Sequence, residues 1–168
     1  SEREKSLLGK ALVPLEEKGR IQIRWLEEAT QSAIHQSLIE ETFHVFHFLG
    51  HGVFDKDAEE GKLVMHDGFL MEAYRIGMLM HDHRSLRLAV LNSCEGGRIS
   101  PKDLFSGVAP TLVRQGIPAV VAMQTEITDN AAITFSKWFY TALINGFPVD
   151  AAVAEARKAI FFMPNDVE

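Results

Sequence analysis

The segment Ile117-Pro118-Ala119-Val120-Val121-Ala122-Met123 is apolar at every position. A strand built from it has no side fit for water, and such runs occur where helices cover both faces of a parallel sheet. Two other segments read as buried strands: His44-Val45-Phe46-His47-Phe48-Leu49-Gly50, and Leu86-Arg87-Leu88-Ala89-Val90-Leu91-Asn92-Ser93. Stretches with helical spacing separate these strands, and strands alternating with helices define an α/β fold.

Along the chain, Leu8, Ala11, Leu12 and Leu15 keep helical spacing, with Pro14 expected to kink or restart that helix and Gly19 to close it. Residues 20–26 read as a strand. Thr30 is an N-cap for a helix carrying Ala33, Ile34, Leu38 and Ile39, which leads into the 44–50 strand and completes a β-α-β unit. Leu63-Val64-Met65, then Asp67-Gly68, then Phe69-Leu70-Met71 form the pattern of a hairpin with a tight turn. That hairpin is expected to flank the site on a segment free to move. Residues 73–82 read as a helix, 86–93 as a strand, and 101–115 as a helix closed by Gly116. After the 117–123 strand the spacing predicts helices over 130–145, with Ala132, Phe135, Phe139 and Leu143 on one face, and over 149–162. With no internal repeat, low-complexity tract or linker, residues 1–168 are expected to form a single domain.

Composition narrows the function classes. At 168 residues and 46% hydrophobic content the chain can bury a core of two or three layers. A formal charge of −6, with Lys and Arg scattered, argues against direct binding of nucleic acid. A single cysteine cannot form an intramolecular disulfide, and Ser1-Glu2-Arg3-Glu4-Lys5 is too charged for a signal peptide. No apolar run approaches the roughly 20 residues of a membrane span. A reducing, cytoplasmic setting is the expectation.

His51 and Cys94 each stand directly after one of the apolar strands. If both strands lie parallel in one sheet, their C-terminal ends share the edge where open α/β sheets bind ligands. A lone Cys with a His distant in sequence is the pattern of a thiolate activated by a base. A buried cysteine is most often simply a small hydrophobe. Here, however, Asn92-Ser93-Cys94-Glu95-Gly96-Gly97 turns from apolar to polar to paired glycines, and Gly50 and Gly52 flank His51, so both positions are open to an approaching peptide.

Other assignments fare worse. A metal site from His44, His47 and His51 fails because side chains alternate along a strand and His44 and His47 point to opposite faces. A second trio, His66, His81 and His83, is disfavoured because His81-Asp82-His83 reads as a solvated helix-to-strand connection; neither metal nor cofactor is expected. Ser93 is a second candidate nucleophile, but by alternation it points away from the side that Cys94 faces. Beyond the third strand lies Gln124-Thr125-Glu126-Ile127-Thr128-Asp129, which brings acidic groups to the same edge. Thr128 or Asp129 can cap the following helix; alternatively Asp129 lines a pocket for a basic side chain. A nucleotide-binding reading lacks a Gly-rich phosphate loop.

These residues resemble the CHAT family, bacterial caspase-like peptidase domains associated with TPR repeats, within the wider group of caspases, separases, clostripain and gingipains. The similar segments are His44 to Gly52, Leu91-Asn92-Ser93-Cys94-Glu95, Phe105-Ser106-Gly107-Val108-Ala109, Gly116 to Gln124, and Ala151-Ala152-Val153-Ala154-Glu155-Ala156-Arg157. The resemblance covers almost the whole chain. It implies a caspase-like, flavodoxin-like three-layer sandwich with a mainly parallel sheet, and cysteine endopeptidase activity. Cys94 would be the nucleophile, His51 the general base and acid, and the backbone N–H groups of Gly52 and Cys94 the oxyanion hole. It further implies that Asp129 selects Arg or Lys at P1, with Glu95 and Gln124 as further substrate-binding candidates, and that an upstream module, a TPR region or a partner regulates the protein.

The chain departs from the family's pattern at both ends. A β-strand usually precedes the first helix, and a Trp-x-x-Pro-type segment usually leads into a last strand, and neither is found between Ser1 and Glu168. The absent first strand would lie between residues 20–26 and 44–50, so the chain is expected to be a fragment of a longer protein. A catalytically inactive caspase-like scaffold is the alternative function, disfavoured because a retired enzyme is free to lose either His51 or Cys94.

Overall fold

The computed structural model describes residues 2–55, 60–92, 105, 107–124 and 127–163. They form a mixed α/β structure with six helices and six strands, divided into two compact units: Trp25–Glu126, and Ser1–Arg24 with Ile127–Glu168.

The first of these units is built on a parallel sheet. Strand β1 (Val45–Leu49) pairs with β5 (Leu88–Asn92), which pairs with β6 (Ala119–Ala122), in the order β1-β5-β6. As the central strand, β5 is buried at all five positions, which is why its sequence is apolar until Asn92. One sheet face, carrying Phe48, Ala89 and Leu91, packs into a core with Ile34 and Leu38 of helix α2 (Gln31–Glu40), Ile76 and Met80 of α3 (Ala73–Met80), and Leu112 of α4 (Val108–Arg114). Each of the larger side chains contributes roughly 1.5–3 kcal/mol by leaving water. Helix α2 starts as expected, with the Thr30 hydroxyl accepting the Ala33 N–H at 3.2 Å.

A second, antiparallel sheet joins β2 (Gly52–Asp55), β3 (Glu60–Val64) and β4 (Leu70–Glu72). The expected hairpin is β3-β4, turning at Asp67-Gly68, where the Asp67 carboxylate accepts the Phe69 N–H at 3.0 Å and Gly68 takes φ +79°. The hairpin is not a loose segment. Leu63, Met65 and Met71 are buried in the core, and removing them from it would expose that apolar surface. Strand β2 was not anticipated, because Val53-Phe54 is too short a run to show periodicity.

In the second unit, α1 (Glu2–Glu17) runs through Pro14 without the expected restart, since a proline near the end of a helix removes only one N–H. It closes at Gly19, with Arg20 N–H donating to the Leu15 carbonyl at 3.0 Å. Helix α5 (Asp129–Ile144) packs on α1 and on α6 (Val149–Phe161). Phe139 is fully buried and stacks on Phe135 at 5.6 Å, while Ala152 and Ala156, fully buried one turn apart, line the buried side of α6. The Arg20 guanidinium donates to the Ile144 carbonyl at 2.8 Å and satisfies the C-terminal end of α5.

A further expectation fails. Residues 21–26 are not a strand, although exposure alternates from half-buried Ile21, Ile23 and Trp25 to exposed Gln22 and Arg24. A strand requires a ladder, and no neighbouring strand pairs with this segment among the described residues; the Ile23 N–H goes instead to the Glu16 carboxylate at 3.2 Å. The β-α-β unit expected there is therefore reduced to α2-β1. The helix expected over 101–115 is described as α4, Val108–Arg114, with the Val108 N–H donating to the Phe105 carbonyl at 3.0 Å; residues 101–104, where it was expected to begin, lie outside the described residues.

Candidate active site

The register of the parallel sheet sets the site. Leu49 of β1 lies opposite Asn92 of β5, and the Gly50 N–H donates to the Asn92 carbonyl at 3.1 Å. His51 therefore stands two residues beyond the last pair on β1, as Cys94 stands two residues beyond it in the chain of β5. The third strand ends at the same edge: Ala122 lies opposite Leu91, and Met123 N–H donates to the Leu91 carbonyl at 3.0 Å.

The His51 turn is held on both sides. Before it comes the Gly50–Asn92 bond; after it, the His51 carbonyl accepts the Val64 N–H of β3 at 2.9 Å. His51 itself is half-buried, and Gly52 is buried opposite Leu63 as the first residue of β2. Across this second sheet Lys62 pairs with Asp55 at 2.9 Å. Four residues before His51, His47 is half-buried with its Nε2 shut off from solvent, and desolvation pushes its pKa down to about 4, so it is neutral at physiological pH.

Ser93, Cys94 and Glu95 lie outside the described residues. Gln124 is exposed, two residues past Ala122. Asp129 opens α5 in the other unit, in the first helical turn, where a carboxylate favours the helix dipole. The cap itself is Thr128, whose hydroxyl accepts the Ala131 N–H at 3.2 Å. Among the described residues no three His, Cys, Asp or Glu side chains cluster as metal ligands, and no helix is long and apolar enough to cross a membrane.

Sequence reasoning missed two supports. Asn92 is a polar side chain only 1% exposed at the very end of β5, and the abrupt polar step after four apolar residues was its signal. Phe48 meets Phe105 edge to face, with ring centroids 6.5 Å apart, a contact without any local signal.

A family model described as the CHAT domain matches residues 4–166, almost the entire chain, including both strand ends and the segment bearing Cys94. The chain belongs to the CHAT family. CHAT domains are a caspase-like, protease-related family associated with cysteine peptidase-like proteins. No curated protein matches the chain. The observed α/β structure with its parallel sheet is consistent with that membership. In this CHAT domain His51 occupies the loop at the C-terminal end of a parallel strand, where open sheets of this kind present functional groups.

Proposed function

We propose that this CHAT domain is a cysteine endopeptidase with a His51/Cys94 dyad, built on a caspase-like sandwich. The observation that carries the reading is the Leu49–Asn92 register, which sets the two strand ends leading to His51 and Cys94 side by side. The sulfur of Cys94 attacks the scissile carbonyl while His51 takes the thiol proton; His51 then returns that proton to the leaving amine. Water, deprotonated by His51, releases the acyl group and regenerates the thiol. The N–H groups of Gly52 and Cys94 hold the developing oxyanion, each such donor contributing about 3–4 kcal/mol in proteases.

Substrates are protein segments with Arg or Lys at P1, paired with Asp129, and with Glu95 and Gln124 lining the approach. A basic P1 group is matched by a carboxylate through charge-assisted hydrogen bonds. The protein acts in the cytoplasm without a cofactor, and an upstream module, a TPR region or a partner protein controls it.

Covalent labelling tests the mechanism. A peptidyl chloromethyl ketone with Arg at P1 should attach to Cys94, located by mass spectrometry, and labelling should fall sharply in His51→Ala. A folded domain that takes no label, even in the presence of its binding partners, would support the inactive scaffold instead.

A further inference from the structure

We infer that Phe48 is a positioning residue for His51, acting through Gly50; the inference deepens, and rests on, the dyad reading above. A Cβ placed on Gly50 would lie 2.8 Å from Cζ and 2.9 Å from Cε1 of Phe48. Carbon atoms in good contact stand about 3.5–4.0 Å apart. The backbone just before His51 thus rests directly on the face or rim of this ring, with no room for a side chain between them.

The ring cannot readily yield. Phe48 is 7% exposed and is met edge-on by Phe105, itself 2% exposed, within the core under the sheet. Close-packed interiors transmit such displacements instead of absorbing them. The turn has three fixed contacts: the Phe48 ring beneath Gly50, the Asn92 carbonyl on the Gly50 N–H, and the Val64 N–H on the His51 carbonyl. Adding a methyl group at position 50 forces the softest of these to give, which lifts the turn off Asn92 and shifts the imidazole. A displacement of about 1 Å in a catalytic group costs on the order of 10²-fold in rate.

The experiment follows the pH dependence of Cys94 alkylation by iodoacetamide, together with kcat and KM for a fluorogenic Arg peptide. In the wild type the alkylation inflection should lie below the value of about 8.5 for an unpaired thiol, and His51→Ala should raise it. Gly50→Ala should raise it in the same direction and lower kcat about 10²-fold with little change in KM. Adding Phe48→Leu, which removes the far end of the ring, should return both quantities toward wild type. A purely structural role for Gly50 would lower the melting temperature and leave the inflection in place. A folded Gly50→Ala protein with a wild-type inflection, or a double variant no nearer to wild type than the single, overturns the inference. Should Gly50→Ala fail to fold, the double variant decides: folded with a low inflection supports it, and unfolded or with a raised inflection refutes it. If His51→Ala leaves the inflection unmoved, the dyad itself is refuted, a result distinct from the failure of Gly50→Ala alone.

Discussion

The Gly50 N–H donates to the Asn92 carbonyl at 3.1 Å, one residue past the Leu49–Asn92 pair. This bond ties the turn that carries His51 to the last described residue of β5. Two chain segments distant in sequence are thereby fixed to one sheet edge before any side-chain chemistry is considered.

Replacing Cys94 by Ala should abolish cleavage of protein substrates, and His51→Ala should do the same. Neither side chain carries the fold in this reading, so circular dichroism and melting temperature should stay close to wild type. Full cleavage by Cys94→Ala would end the thiolate mechanism.

Substrate choice should depend on charge. A scan of P1 residues in fluorogenic peptides should show preference for Arg and Lys, and Asp129→Ala should lose about 10–10²-fold on those substrates, the equivalent of the 1.5–3 kcal/mol of a hydrogen bond to a charged group. If Asp129 only favours the α5 dipole, the variant instead loses about 0.3–1 kcal/mol of stability and keeps its P1 preference.

Gly61→Ala should destabilise the fold. An added Cβ would lie 2.5 Å from the Val108 backbone nitrogen and 2.7 Å from the Gly107 carbonyl carbon, at the start of α4. Backbone cannot swing aside as a side-chain end can, so overpacking of about 1–3 kcal/mol is expected in urea titrations. A variant as stable as wild type would show that β3 and α4 separate at little cost.

Half-buried His47, its Nε2 shut off from solvent, should make stability depend on pH. Its pKa falls from 6.5 to about 4 on folding, so the unfolded chain binds more protons between those values. Stability therefore rises with pH across that window and reaches its full value above it. The difference amounts to about 3 kcal/mol at 1.36 kcal/mol per unit. His47→Phe should flatten this part of the profile in denaturant titrations between pH 4.5 and 7. An unchanged slope would place the titration in other groups.

Local pattern made much of this molecule legible. Strands β1, β5 and β6 were marked by apolar runs, the β3-β4 hairpin by Asp67-Gly68, and the start of α2 by Thr30. In each case the cause lies within a few residues: alternation, a left-handed turn, or a hydroxyl three residues from an orphan N–H. The position of His51 after β1 was legible for the same reason.

The failures share an opposite cause. Residues 21–26 alternate like a strand, but strand formation is decided by a partner elsewhere in the chain, and none pairs with them among the described residues. Strand β2 exists because β3 pairs with it, not because Val53-Phe54 demands it. The hairpin's anchorage became visible only when Leu63 and Met71 were found in the core. Sequence alone determined the order and type of most elements and the two residues proposed as a dyad, since these follow from local periodicity and residue chemistry. Tertiary structure alone decided the Leu49–Asn92 register, the seating of Gly50 on Phe48 and the backing of that ring by Phe105, because close packing is a property of surfaces that meet only after the chain has folded.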